Sequence, residues 1–578
     1  MGDQLRDQHE ASAPNPPKAA GGTLGRARAV SAGVSERLRW AVHRAALLTE
    51  VVRVRVAPAG VLAENVDPDR SEPNDWRFLL RPALIGFLAL ASLAVGVSID
   101  SSPFKLEMPG TWFFGEPSQQ GATSTAFLLF GLVAVYGGLV LLARVWLGLT
   151  RALARRPGVP IKHLWLILAL WLIPVLVIAP IFSRDVFSYA AQGEMVSHHI
   201  NPYNYGPYTL GAGPYVSPVD SLWLNAPAPY GPLFLMIDGF FASASLHHVL
   251  VTVVLLRLLA VAGVALIAFC IPKLARAYGR DPGPIFLLSV LNPVVLLTLV
   301  GSAHNDAIML GLLVAGITAA KSKHPFWGVV LCALATAIKA PAGLGVLYIG
   351  WEWLGVGVPW RQRVRPILTA GIITLAILAL FSALSGLGWG WVANLETPGT
   401  VRSWLAPTTA IGLGTSGLLH VVGLHVSTTG VLSAARVLGF AVATVAGIYL
   451  LKVSDKIGGL KALAITLLLF VVLGPIVQQW YLTWGLVLIT PVATGRWRSM
   501  VMAVSVLGPF LGLPGGRVLV DQLLHSDPIS VALGLLFLLG VLLVPLGRWS
   551  ASWRSDIEEP AVAGEAAGGG PPPRLAEV

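Results

Sequence analysis

The sequence predicts an all-α, polytopic membrane protein with about fourteen transmembrane segments, some short or broken, and both termini in the cytoplasm. Three observations predict it: an apolar composition, the length of the apolar runs and a one-sided placement of the cations. Of 578 residues, 55% are hydrophobic and 12% charged, with a mean hydropathy of +0.72. A soluble domain carries about twice that share of charge. The apolar runs are roughly 15–24 residues long, enough to cross about 30 Å of hydrocarbon at 1.5 Å per residue. Backbone in lipid must satisfy its own hydrogen bonds, so only helices or closed barrels cross it, and the alternating ten-residue segments of a barrel are absent.

Residues 1–76 form a cytoplasmic region with no apolar core close behind the initiating Met, so they do not read as a signal peptide. Within them, 36–56 (ERLRWAVHRAALLTEVVRVRV) is Arg-rich and amphipathic, suited either to the inner leaflet or to a solvated or docking helix. The membrane domain occupies 77–547, with hydrophobic segments beginning near Phe78, Ala126, Leu164, Val249, Ile285, Asp306, Phe326, Ala342, Ile367, Gly430, Ala462, Leu482, Val501 and Ile529. Those from Phe326 and Ala342 are short, flank Lys339 and Pro341, and read as a broken pair. A Gly/Pro/Ala-rich tail, 548–578, has no core-forming content. Cys270 and Cys332 lie in apolar runs and suggest neither a disulfide nor a metal site.

With an inside N-terminus, six connections are cytoplasmic: those holding Arg151/Arg155/Arg156/Lys162, Lys273/Arg276/Arg280, Lys321/Lys323, Arg361/Arg363/Arg365, Lys452/Lys456 and Arg496/Arg498. They carry sixteen cations, against Lys105, Arg184, Lys339, Arg402 and Arg517 on the other side. The positive-inside rule fixes this orientation. The net charge of +11 is then mostly a topology signal, and no nucleic-acid partner is expected.

The longest outer loop, 183–248, opens SRDVFSYAAQGEMV and continues through HHINPYNYGPY and WLNAPAPYGPLF. It holds six of the eleven tyrosines: Tyr189, Tyr203, Tyr205, Tyr208, Tyr215 and Tyr230. Aromatic faces with hydroxyl handles suit sugars, and interfacial anchoring enriches Tyr as well. Asp185, at the outer end of the segment from Leu164, is placed where a general base could take a proton from an acceptor hydroxyl, or where an Asp could cap the next helix. Glu194 is the neighbouring carboxylate held in reserve.

The Arg-Asp after a hydrophobic helix, an aromatic outer loop with Asn-Pro-Tyr, short paired helices and a later Gln-Gln-Trp-Tyr together resemble the integral-membrane GT-C glycosyltransferases. Within them the chain is most similar to the polyprenol-phosphomannose-dependent α-1,6-mannosyltransferases of the MptB type, which act in lipomannan and lipoarabinomannan assembly. The resemblance covers roughly residues 162 to 498, and RDVFSYAAQGEMV followed by NPY is its most specific part. Two helices precede the usual first helix and loop, so the family's first outer loop is the second one in this chain.

The resemblance implies a GT-C fold and a catalytic Asp185, with Arg184 and Tyr189 at the same mouth and Asn201 and Tyr203 in the sugar-binding loop. His304, Asn305 and Asp306 occupy an outer turn, where they could bind sugar hydroxyls, support Asp185 or cap the following helix. His198, His199 and His304 lack convincing ligand spacing, so no metal and no cofactor are expected. A lipid-linked phosphosugar requires fixed cations near the outer headgroup level. Arg257, Lys339 and Arg436 lie at that depth and are read as phosphate ligands, with snorkelling or carboxylate pairing as the plainer role. Gln478, Gln479, Trp480 and Tyr481 suit hydroxyl bonding and stacking, and Glu396 and Arg402 suit acceptor contact.

The function expected from these residues is an inverting α-1,6-mannosyl transfer at the periplasmic face of the plasma membrane. The donor would be polyprenyl-phosphate-mannose and the acceptor a lipid-anchored mannan, with membrane lipids as surroundings. The alternatives are a GT-C enzyme with another polyprenyl-phosphate sugar, and a transporter or flippase. The last would favour internal repeats and charges at the midplane, whereas the polar residues gather on the outer side.

Overall fold

The computed structural model describes residues 76–99 and 125–512. The stretch 36–56, the segment near Ile529, the C-terminal tail, Lys105 and Arg517 lie outside the described residues. Among the described residues the chain is helical, with no strand. Helix α1 (Leu80–Ser98) pairs with α2 (Thr125–Arg155), and α3 (Ile161–Val177) packs on α1, where the Trp171 indole donates to the Ala83 carbonyl at 3.0 Å. Next come α4 (Asp185–Ser197), α5 (Pro232–Ala244) and the long α6 (Val249–Ala277). Short α7 (Pro282–Ser289) runs into a buried π-helical turn, Val295–Gly301, which meets α8 (Asp306–Lys321) at a bend of 118°. Helices α9 (Pro325–Ile338) and α10 (Gly343–Glu352) are separated at Lys339, whose backbone is extended. Pro341, two residues on, cannot donate the hydrogen bond that would continue the helix. The rest are α11 (Trp360–Ser385), α12 (Pro407–Val421), α13 (Thr428–Lys452), α14 (Gly459–Val472), α15 (Thr483–Ile489) and α16 (Gly495–Leu507).

Five helices among the described residues are long and apolar enough to cross a membrane, six if the bent pair counts as one. They include α2, α6, α11 and α13, and α1 with its leading turn. Among the described residues, the other predicted segments fold as helices of seven to seventeen residues, so apolar runs of similar hydropathy do not become spans of similar length. Three helices escape the hydropathy reading: α4 and α5 lie inside the predicted outer loop, and α12 is rich in Gly and Thr.

Close backbone approach holds the middle of the bundle. A Cβ on Gly263 would sit 2.3 Å from the Ala307 carbonyl oxygen, so α6 and α8 touch through their main chains, as small residues permit between membrane helices. Helix α8 also sets the long axis of the site region. Its first residue, Asp306, lies behind the mouth described below, while Lys321, about 22 Å along, lines a cavity of about 630 Å³. Tyr278, Lys323, Glu352 and Asp455 line that same cavity, and Arg363 pairs with Asp455 at 2.6 Å. Several of the cation-bearing connections thus converge at the end of the bundle opposite the mouth.

Candidate active site

The residues after α3 turn sharply before α4 begins. Phe182 takes a left-handed conformation (φ 60°), and the Ser183 hydroxyl accepts the Asp185 backbone N–H at 3.1 Å. Asp185 is therefore the first residue of α4, its side chain 15% exposed. One carboxylate oxygen accepts from the Trp223 indole at 3.0 Å, and the other lies 3.7 Å from His304 Nδ1. Burial pushes the Asp185 carboxyl up to about 6, while the Lys339 charge and the Trp223 hydrogen bond pull the other way. The fully buried His304 has its ring stacked on Trp480 at 3.9 Å, and its Nδ1 is 3.3 Å from the Tyr189 hydroxyl.

A second carboxylate is held by a different set. Asp306 accepts from Lys339 Nζ at 2.8 Å and from the Trp484 indole at 2.6 Å. The ammonium also reaches the Asn305 side-chain oxygen at 3.3 Å and lies 4.7 Å from the Tyr481 ring centre. Tyr230 completes this aromatic surround, and its position depends on Gly231. A Cβ there would lie 2.2 Å from the Ala337 carbonyl oxygen, and the Gly231 N–H donates to the Ile338 carbonyl at 3.0 Å. The loop carrying Tyr230 is thereby fastened against the α9–α10 break that presents Lys339.

These groups line one open mouth. Asp185, Trp223, Tyr230, Lys339, Tyr481 and Trp484 form part of its wall, and the segment with Leu395, Thr397 and Pro398 supplies its rim. Ser188 and Gln192 follow Asp185 along the same face of α4, at helical spacings of three and seven. Ser188 Oγ and Gln192 Oε1 are both buried without a hydrogen-bond partner. The arrangement joins a carboxylate, a compensated cation and aromatic faces around an opening that suits a polar ring with an attached anion.

Of the residues expected from the sequence, Asp185, Lys339 and Tyr481 line this mouth, and Tyr189, His304, Asn305, Asp306 and Trp480 buttress it from behind. The cations separate. The Arg257 guanidinium is buried and donates to the carbonyls of Leu176, Ile178 and Gly301, tying the end of α3 to the turn before His304. Arg436 donates to the carbonyls of Gly399 and Val401 and to the Thr409 hydroxyl, which fixes the rim segment. Neither lines the mouth, because each guanidinium is occupied by backbone oxygens. Arg184 is half-buried beside Asp185, and its Nε has no hydrogen-bond partner.

Other expected residues have structural partners. Asn201 bonds the Leu387 carbonyl and the Tyr203 N–H, and the Tyr203 hydroxyl donates to the Tyr230 carbonyl at 3.0 Å, so Asn-Pro-Tyr shapes the loop. Gln479 is buried with its side-chain oxygen unpaired, Gln478 is half-buried, and Glu396 and Arg402 are exposed beside the rim. Glu194 departs from the reserve role given to it. Nine residues past Asp185 is half a turn out of phase on a helix, and its carboxylate meets His198 and His247 on the face away from the mouth. Sequence reasoning missed Trp223, Trp484, Ser188 and Gln192. The last two carried a signal in their spacing from Asp185, whereas the two tryptophans carried none beyond membership of aromatic runs.

Comparisons with known proteins agree along most of the chain. Residues 84–355 match the family model described as "Alpha-(1->6)-mannopyranosyltransferase, N-terminal domain", and 408–545 match the MptB C-terminal domain. A probable alpha-(1->6)-mannopyranosyltransferase of Mycolicibacterium smegmatis is 33% identical over 73% of this chain and 81% of its own length. An alpha-(1->6)-mannopyranosyltransferase of Mycobacterium tuberculosis is 31% identical over 74% and 81%, and alpha-(1->6)-mannopyranosyltransferase B of Corynebacterium glutamicum is 27% identical over 84% of both. The mouth draws on both matched regions, with Tyr481 and Trp484 contributed by the second.

Proposed function

This chain belongs to the MptA/MptB family of alpha-(1->6)-mannopyranosyltransferases, and on that premise we propose that it transfers mannose from polyprenyl-phosphate-mannose to a growing, lipid-anchored mannan. The reaction takes place at the periplasmic face of the plasma membrane, by inversion in one displacement, with Asp185 as general base. The observation that carries this reading is the Asp185 carboxylate in the wall of an open mouth, beside a lysine already matched to a second carboxylate. A carboxyl held up to about 6 is ionised at neutral pH and basic enough to share a proton with an attacking hydroxyl.

In this mechanism the acceptor 6-hydroxyl approaches Asp185, which takes its proton as oxygen attacks the anomeric carbon. The polyprenyl phosphate leaves as an anion. Lys339 is the cation of the mouth that meets it, with the unpaired Nε of Arg184 nearby, and Asp306 holds the ammonium in place. His304 supports Asp185 from behind, kept there by Trp480 and Tyr189. The Tyr481 and Trp484 rings, with Ser188 and Gln192, provide faces and polar atoms for the sugar. The sixteen cations on one set of connections support a cytoplasmic side opposite the mouth, hence an outward-facing site.

The test is purified protein in nanodiscs with radiolabelled polyprenyl-phosphate-mannose and a short α-1,6-mannoside. The expected product is the acceptor extended by one α-1,6-linked mannose. No transfer from this donor, or transfer from a nucleotide sugar instead, overturns the reading.

A further inference from the structure

On the opposite face of α4 from the mouth, three potential metal ligands converge. Glu194 and His198 stand one helical turn apart, and His247 arrives from the corner between α5 and α6. His198 Nε2 is 3.1 Å from one Glu194 oxygen, and His247 Nδ1 is 2.9 Å from the other. The three ligand atoms all lie within 4.8 Å of one another. We propose that Glu194, His198 and His247 bind a divalent transition-metal ion of the Zn²⁺ class, which pins the far end of α4 to the α5–α6 corner.

Chemistry selects the ion. Two imidazoles and one carboxylate form a borderline-soft donor set that suits Zn²⁺ and its neighbours, whereas Mg²⁺ and Ca²⁺ take oxygen ligands. Bonds of about 2.0–2.1 Å in tetrahedral array place neighbouring ligand atoms about 3.3 Å apart, inside the 4.8 Å that encloses one ligand atom from each of the three residues. The carboxylate is 10% exposed, while the His198 and His247 side chains are 55% and 49% exposed. An ion can therefore enter from solvent and keep water on its remaining position.

The backbone supports the same conclusion. Leu246 and His247 both adopt left-handed conformations (φ 53° and 62°), which residues other than glycine seldom do and which occur here in succession. They turn the His247 ring onto Glu194, where it stacks with His198 at 5.4 Å between ring centres. Glu194 lies about 14 Å along α4 from Asp185, so the ion positions the helix and takes no part in the transfer.

The experiment uses the full-length chain in nanodiscs, purified without a polyhistidine tag, stripped with chelator and titrated with Zn²⁺ alone by calorimetry. A parallel titration with Co²⁺ follows visible absorption. Wild type is expected to take up one Zn²⁺, to show the intense bands of four-coordinate Co²⁺, and to melt at a higher temperature when loaded. His198→Gln keeps a hydrogen bond to Glu194 within reach and removes the imidazole ligand. This variant and His247→Ala should each lose about tenfold or more in Zn²⁺ affinity and lose the Co²⁺ bands. His199→Ala, on the neighbouring histidine, should retain both. Circular dichroism and elution volume establish that each variant is folded. A wild type that binds no more Zn²⁺ than the His198→Gln/His247→Ala double variant overturns the proposal, leaving a hydrogen-bonded staple without an ion.

Discussion

Asp185 is the residue on which the proposed chemistry turns, and its surroundings set the pH response. Asp185→Asn should lower transfer by about 10²–10⁴-fold, with the protein still inserted and folded, as the loss of a positioned base does. Near-normal turnover would remove Asp185 from the mechanism. Because burial holds the carboxyl up to about 6, it keeps its proton below that pH and acts as a base above it. The rate should therefore be flat at neutral pH and fall about tenfold per unit on the acid side of 6. The Trp223 hydrogen bond favours the ionised form, so Trp223→Phe should move that acid limb to higher pH. An unshifted limb in the variant would mean that the indole does not tune the base. Lys339 presents a further contrast among single residues. Lys339→Gln removes the cation of the mouth and should weaken donor dependence by about thirtyfold, corresponding to about 2 kcal/mol, with a smaller effect on acceptor. Equal effects on donor and acceptor would argue that Lys339 only neutralises Asp306.

Several site residues act by fixing elements against one another. Arg257 sits behind the mouth and bonds carbonyls at the end of α3 and before His304, so it aligns the two segments that carry Asp185 and His304. Arg257→Gln should lower the thermal midpoint and reduce donor and acceptor terms alike. A selective loss of donor affinity would instead return Arg257 to the phosphate. Gly231 joins the Tyr230 loop to the α9–α10 break through a main-chain contact with no space for a side chain. Gly231→Ala should cost about 1–3 kcal/mol of stability through overpacking and displace Tyr230 from Lys339, measurable as a lower melting temperature with reduced turnover. Unchanged melting would show that the loop shifts freely. The broken helix at Lys339 was legible because Pro341 and a lysine interrupt an apolar run. The π-helical turn before His304 was not, since Val295–Gly301 reads as an ordinary apolar helix.

At the scale of the whole molecule, the mouth and the cation-bearing cavity occupy opposite ends of α8, and the proposed topology puts those ends on opposite sides of the membrane. Single cysteines at Ser217 and Ser322, in a background lacking Cys270 and Cys332, test this with an impermeant thiol reagent. Ser217→Cys should react in intact cells and Ser322→Cys only after lysis; the reverse pattern would invert the topology. The sequence by itself determined that the chain is helical and apolar and which connections gather cations, and it pointed to Asp185, Lys339 and His304-Asn305-Asp306, which the fold brings together. Hydropathy and charge act locally, so composition records them directly. It could not say that Arg257 and Arg436 spend their charge on carbonyls. Nor could it say that Glu194 turns from the mouth to meet a histidine 53 residues away. Those facts belong to the tertiary structure, because a buried charge takes whichever partner the packed chain brings within about 3 Å, and sequence spacing beyond one helical turn does not name it.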